Sequence, residues 1–422
     1  MKVNEREADN HKNNNLMKKI LVYTDAFRGN IIPTLGISEK LHQMGAHVHY
    51  IGVPDVTEII SGTSFPSTSI FGDYYPKGSK YESGKINADV IRTIIDGGLD
   101  ELMQDFNPSA ILFTAYNPIE AATFYLKYKI KTFLVYCHFP VDNDFSKTSF
   151  TEKVKEWSIN MLMDDANLES TNLLINYLID KGYAMNSLND VLCVFENFYN
   201  VVPASKEFLI ENAVVNGNDM YVGPCIPEQN IFHLHYDMDN LENEISKQKK
   251  SGKKLVYCSL GSWAEQIDNE KAQYITQTLI DSFRQESMED YILNISVGNL
   301  FDNYKSQASD SIRIHQWLPQ VAMLQHSDLA IIHGGMGGVK ECIMHEIPMA
   351  VIPLGLDQFE NADRVAAHQL GIKIETHSIN NSGIISVINK LQNDTIIKDS
   401  LSKMKSSFEK ASQDDAWTKF NP

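Results

Sequence analysis

The run Leu329 to Met344, LAIIHGGMGGVKECIM, constrains this chain more than any other stretch. Leu329 to Ile332 has the length and composition of a buried strand, and from Val339 onward the spacing is helical. Gly334, Gly335, Gly337 and Gly338 lie between the two. A glycine turn from strand to helix lets backbone approach an anion and aims unpaired N–H groups at it, with the positive end of the helix behind them. Gly335, Gly337 and Gly338 are therefore candidate phosphate contacts, and His333 can donate a further hydrogen bond.

The same alternation recurs along the chain. Lys19 to Thr24 (KILVYT) reads as a strand, followed by a helical pattern through Leu35, Leu41 and Met44 that stops at Gly45, and by a second strand at Val48 to Ile51. That is a β-α-β unit opening a parallel sheet. Further strands are expected at Ala110 to Thr114, Thr132 to Tyr136, Leu255 to Ser259, Tyr291 to Ser296, Ile312 to His315 and Met349 to Pro353. Asp142 to Asn189 and Ile384 to Phe420 read as helical. The resulting division is a disordered polar tail over 1–17, an α/β domain over 18–226, a polar linker over 227–252, a second α/β domain over 253–402 and a terminal helix over 403–422. Open α/β sheets bind ligands beyond the carboxyl ends of their strands, so two of them facing each other make an interdomain cleft.

A net charge of -17 with no basic stripe excludes nucleic acid as a partner. The five cysteines form no C-x-x-C pair and several lie in apolar runs, which suits free thiols in a reducing compartment. The first residues lack the apolar core of a secretory signal, and no run approaches the roughly 18 apolar residues of a membrane span. A cytoplasmic protein without an integral membrane segment is expected.

Residues flanking the glycine turn extend its chemistry. Glu341, on the helix, can accept both hydroxyls of a ribose. Trp317 follows the strand Ile312 to His315 and can stack on a base; Gln320 can read a base edge or ribose. Asp357 and Gln358, after Met349 to Pro353, suit adjacent sugar hydroxyls. Ser262, in the turn SLGSW, can touch phosphate. Each has an ordinary alternative taken alone: core indole, solvated helix acid, plain surface turn.

Together they form W-x-P-Q-x-x-x-L-x-H, then H-x-G, E, P and D-Q, carried by Trp317, Pro319, Gln320, Leu324, His326, His333, Gly335, Glu341, Pro348, Pro353, Asp357 and Gln358. This pattern resembles the donor-binding signature of family 1 glycosyltransferases, which include plant and animal UDP-glycosyltransferases and bacterial macrolide or antibiotic glycosyltransferases. The opening RGNIIPTLGISEKLHQMG looks like that family's first β-α unit. The resemblance implies the GT-B fold: two Rossmann-like domains facing a cleft, with the C-terminal helix crossing back to the first. It implies an inverting hexosyltransferase moving a glucose-type sugar from a UDP- or TDP-sugar to a small, largely apolar natural-product acceptor. The nucleotide sugar is then a co-substrate, no cofactor or metal is needed, and the chain is a monomer or homodimer. Two positions depart from the pattern: Gly338 where Ser or Thr is usual, and Glu346 where Gly is usual.

The catalytic base is the open question. In the family a histidine in G-H-x-x-P takes the acceptor's proton, oriented by an aspartate after a later strand. Here those positions are Asn30 and Thr114, neither a base at neutral pH. Vancomycin-type and sterol glycosyltransferases carry R-G-D-x-x-P, which RGNIIP resembles with an amide for the acid. Three readings follow. Asn30 positions an acceptor that needs little deprotonation; or another group, among Asp25, His138, Asp142 and Asp144, is the base; or the chain is a non-catalytic nucleotide-sugar-binding relative acting with a partner protein. Met161, Met163 and Tyr177 are candidate acceptor-pocket residues. Asp142-Asn143-Asp144 and Asp237-Met238-Asp239 have D-x-D spacing, a pattern common by chance, and are given no metal.

Overall fold

The computed structural model describes residues 18–70, 75, 83–138, 148–184, 187–209, 214–228, 236–262 and 264–420. Asp142 and Asp144 lie outside these residues.

Two six-stranded parallel sheets carry the chain. The first comprises β1 (Lys19–Thr24), β2 (His47–Gly52), β3 (Ala110–Thr114), β4 (Lys131–Val135), β5 (Tyr199–Val202) and β6 (Asp219–Tyr221), in the order β2-β1-β3-β4-β5-β6. The second comprises β7 (Lys254–Ser259), β8 (Tyr291–Ser296), β9 (Ile312–His315), β10 (Leu329–Ile332), β11 (Met349–Val351) and β12 (Gly371–Lys373), in the order β12-β11-β10-β7-β8-β9. β1, β3, β8 and β10 are buried almost throughout, as strands covered by helices on both faces must be. Their apolar runs made them recognisable. β5, β6 and β12 were not anticipated. β5 is broken by Asn200, whose amide donates to Asp219 Oδ1 (2.8 Å) and Thr151 Oγ1 (3.0 Å), so a polar residue sits satisfied inside a strand.

The segment read as a linker corrects that expectation in part. Met238–Lys250 is a helix, capped by Asp237, which accepts from the Asn240 N–H at 3.0 Å. Asp237 thus serves as an N-cap. Leu241 and Ile245, one turn apart, are buried, and Gln248 exchanges amide hydrogen bonds with Asn294 of β8 (3.2 and 2.9 Å). Only these few positions face inward, and Lys247, Lys249 and Lys250 crowd the last turn, where the helix dipole favours them. A largely polar composition therefore concealed a docked helix.

The chain end returns to the first domain. The helix Thr395–Ala411 packs on the helix Met336–Met344, and its Lys405 pairs with Glu346 (2.9 Å). Glu346 has φ 56°, a left-handed conformation that explains why glycine is usual there. Ser407 then meets Ser205 at 2.8 Å, and the 3-10 turn Asp415–Phe420 seats Trp417 and Phe420 in the core around β1 and β4. Phe420 stacks on Phe133 (centroids 4.4 Å apart, planes at 17°), and the Lys419 ammonium donates to the Gly217 carbonyl at 2.8 Å. No helix among the described residues is long and apolar enough to cross a membrane. Emptying the Phe420 site is expected to cost about 3–5 kcal/mol. Urea unfolding of Phe420→Ala checks this; a midpoint equal to the parent's contradicts a core role for the chain end.

Candidate active site

In a doubly wound sheet a crevice opens where the strand order reverses, at the carboxyl ends of the two strands involved. The first sheet reverses between β1 and β3, and the second between β7 and β10. Asp25 follows β1, Thr114 ends β3 with Tyr116 just beyond it, and the turn Gly261–Ser262 and His333 follow β7 and β10. Most residues singled out in the sequence lie at these two reversals.

On the second sheet the glycine turn has a built geometry. The helix Met336–Met344 begins immediately after Gly335, so its unpaired N–H groups face the turn. Gly334 has φ 92°, and a side chain on Gly261, at φ 85°, would collide with the His333 ring at 2.7 Å. Glycine at both places is thus a steric requirement. His333 is pushed down to about 4 by burial, with a hydrogen bond to the Ser259 backbone opposing this, so it is neutral at physiological pH. Gly337 has open space beside it, whereas a Cβ on Gly338 would lie 3.3 Å from Gln320 Nε2. The amide of Gln320 therefore occupies room next to the place where a hydroxyl side chain is usual. Ser262 is exposed at the edge of the same turn.

Behind the turn runs a polar chain. The Tyr257 hydroxyl donates to Gln320 Oε1 (2.9 Å), and Gln320 Nε2 donates to Glu341 Oε2 (2.6 Å). Burial raises Glu341 to about 7 against the pull of Gln320 and Lys340. Asp357 accepts from Asn361 Nδ2 (2.8 Å), and Asn361 also donates to the Gly334 carbonyl (2.9 Å), tying this carboxylate to the glycine turn. Burial lifts Asp357 to about 6. Gln358 differs from its neighbour: it is buried, and its side-chain carbonyl accepts from the backbone N–H groups of Leu354 (2.8 Å) and Gly355 (3.2 Å). Trp317 stands half-buried at the end of β9, against Gly298.

On the first sheet, Asn30 lies in the opening turn of the helix Arg28–Gln43 and donates through Nδ2 to Asp25 Oδ2 at 2.8 Å. The Phe27 N–H donates to Asp25 Oδ1 at 2.8 Å. Burial raises Asp25 to about 6, with those two hydrogen bonds opposing. Thr114 instead gives its hydroxyl to Asn117 Oδ1 (2.7 Å). His138 stacks on Tyr116 (4.0 Å, 19°), and burial pushes it down to about 4, which makes it a weak proton acceptor. Trp157 meets Tyr116 edge-on at 5.4 Å.

Among the links between the halves, two lie at the cleft. The Arg28 guanidinium sits 5.2 Å from the Trp317 ring centroid. Tyr116 is close enough to Asp357 and Asp25 for both carboxylates to reinforce the upward shift that burial imposes on its phenol. Sequence reasoning missed Arg28, Tyr116, Tyr257 and Asn361. Tyr116 was findable, because it follows the buried run of β3 at the strand's carboxyl end; Asn361 carried no signal. Two acceptor-pocket expectations are corrected. Tyr177 lies near Lys129 and Asp100, at the amino end of β4 and away from the cleft edge, and Met163 is 70% exposed at the end of the helix Phe150–Met163. Met161 is half-buried on the same helix, which reaches Tyr116 through Trp157.

A carboxylate with a raised folded pKa contributes stability that is present below its unfolded pKa and lost as pH rises through the folded value. Glu341 therefore weakens the fold above about 7 and not below 4.5. Glu341→Gln should melt higher than the parent at alkaline pH, with the difference vanishing at acid pH; an equal difference at both would contradict a buried, ionising Glu341.

Residues 130–411, well over half the chain, match the family model described as UDP-glucoronosyl and UDP-glucosyl transferase. Two uncharacterised UDP-glucosyltransferases of Bacillus subtilis (strain 168) are similar over nearly their whole length. YojK is 20% identical across 89% of this chain and 90% of its own, and YdhE is 23% identical across 86% and 87%. Among solved structures, a kitacinnamycin glycosyltransferase superposes with a TM-score of 0.71 at 18% identity, covering 96% of this chain and 99% of that one. The chain belongs to the UDP-glucuronosyl and UDP-glucosyl transferase family and is a nucleotide-sugar-dependent glycosyltransferase of GT-B fold.

Proposed function

We propose that this chain is an inverting glycosyltransferase that moves a hexose from a UDP- or TDP-sugar to a small, largely apolar acceptor. The observation that carries this reading is the meeting of the two strand reversals: an anion cradle and three polar clamps on one side, a desolvated carboxylate and an aromatic wall on the other. The base stacks at Trp317, with Arg28 moving off the ring or onto the diphosphate. Glu341 takes the ribose and Gln320 supports it. The diphosphate sits on the opening N–H groups of Met336–Met344, with His333 and Ser262 beside it. Asp357 takes sugar hydroxyls, while Gln358 holds the turn that presents Asp357. Tyr116, His138 and Trp157 form an apolar wall for the acceptor.

No metal is assigned a role: the positive helix end and the neutral His333 donor serve the leaving diphosphate. A second reading, donor binding without turnover, draws on Asn30 and Thr114 standing at the usual base and orienting positions.

Calorimetry with UDP-glucose and TDP-glucose, paired with a donor-hydrolysis assay, separates the two. Transfer predicts binding of at least one donor together with measurable hydrolysis; binding with none, and no transfer across an acceptor panel, contradicts it. Glu341→Ala should weaken donor binding roughly 10- to 100-fold, the worth of hydrogen bonds to a charged group. Unchanged affinity would remove Glu341 from the ribose site.

A further inference from the structure

We propose that Asp25 is the catalytic base of this transferase and that Asn30 is its positioning residue. The inference rests on the transfer reading above and names the group that reading lacks. Asp25 is the first residue after β1, at the reversal of the first sheet, where a ligand of such a sheet is received. Asn30 stands where the resemblance places a base. Its amide cannot take a proton at neutral pH, but it points one N–H at Asp25 Oδ2, 2.8 Å away. Asn30 is itself fixed: its N–H donates to the Phe27 carbonyl at 2.9 Å, and its carbonyl accepts from the Cys137 thiol at 3.3 Å. The acid here stands at the end of β1 with its orienting group on the following helix, whereas the family pattern has the base on that helix and the orienting acid after β3.

The chemistry suits the task. A carboxylate has about four acceptor positions, so Asp25 keeps lone pairs free after receiving one N–H on each oxygen. Burial holds Asp25 near 6, close enough to neutral to be ionised and still basic. Among the groups that face it, Asp25 is the proton acceptor. The Tyr116 phenol and Cys137 thiol, both raised by burial, stay protonated, and His138, lowered to about 4, is a poorer base. Asp357, also near 6, belongs to the opposite half and is held by Asn361. In the step, the acceptor O–H bond breaks and its proton passes to the Asp25 carboxylate. The acceptor oxygen bonds to the anomeric carbon, and the bond from that carbon to the diphosphate oxygen breaks, its electron pair leaving with the nucleotide.

The test compares the parent with Asp25→Asn, Asn30→Ala and the exchanged pair Asp25→Asn/Asn30→Asp. It measures UDP binding, UDP-glucose hydrolysis with water as acceptor, and transfer to benzyl alcohol and to thiophenol. Asp25→Asn should bind UDP as the parent does, yet lose on the order of 10²–10⁴-fold in hydrolysis and alcohol transfer, the usual worth of a general base. Thiophenol, already ionised at neutral pH, should lose less. Asn30→Ala removes a hydrogen bond that favours the ionised acid, so the acidic limb of its pH–rate profile should move to higher pH. The exchanged pair should regain part of the alcohol activity. Equal and measurable hydrolysis by the parent and Asp25→Asn overturns the assignment alone, as does loss of UDP binding in Asp25→Asn, which would make Asp25 a structural group. A parent that binds neither UDP-glucose nor TDP-glucose overturns both this assignment and the transfer reading.

Discussion

The placement of Trp417 and Phe420 in the core of the first sheet is the constraint on which the rest depends. The helix that precedes them, Thr395–Ala411, is anchored to the second domain through Lys405 and Glu346 and to the first through Ser407 and Ser205. With Phe420 stacked on Phe133, the chain end crosses from one sheet to the other and limits how they can turn. The two reversals then lie close enough for Arg28 to reach Trp317 and for Tyr116 to sense carboxylates from both sides. A cleft between two domains needs such a tie, because interfaces between domains are otherwise free to move.

Within the cleft one pairing recurs. Asp25 is held by Asn30, Glu341 by Gln320 and Asp357 by Asn361. In each pair a neutral amide orients a buried acid without cancelling its charge. A lysine or arginine there would hold the carboxylate ionised and weakly basic. With amides, burial decides, and all three acids rise to between about 6 and about 7. Such carboxylates remain strong acceptors for hydroxyl protons, which suits a sugar, a ribose and an attacking alcohol alike. The fold carries their desolvation as a stability cost at neutral pH, a common trade at functional sites.

How much of this was legible in the sequence depended on what each feature leaves in one dimension. The long buried strands announced themselves as apolar runs, and four glycines between a strand and a helix announced an anion site; that Gly334 and Gly261 are also required by the packing of Val351, Gln358 and His333 shows only in the structure. Edge strands such as β12, three residues long, and the docked helix Met238–Lys250 left too few apolar positions to read. At the site, Trp317, His333 and Glu341 were visible as residue types in a spaced pattern. The pairing of Asn30 with Asp25 was not, because Asp25 appeared as one acid among several, and only the turn between β1 and its helix brings the two together. Gln358 carries a role the pattern did not show: its side-chain carbonyl holds its own turn.

On the function proposed above, both reversals receive one molecule of donor. A crystal structure with the non-transferable analogue UDP-2-deoxy-2-fluoroglucose tests it most directly. The expected complex has the diphosphate on the N–H groups at the start of Met336–Met344, the ribose at Glu341, and the anomeric carbon turned towards Asp25 with room for one acceptor atom between them, each contact within the roughly 3 Å reach of hydrogen bonding. A nucleotide bound away from the glycine turn, or a sugar directed away from Asp25, would contradict it.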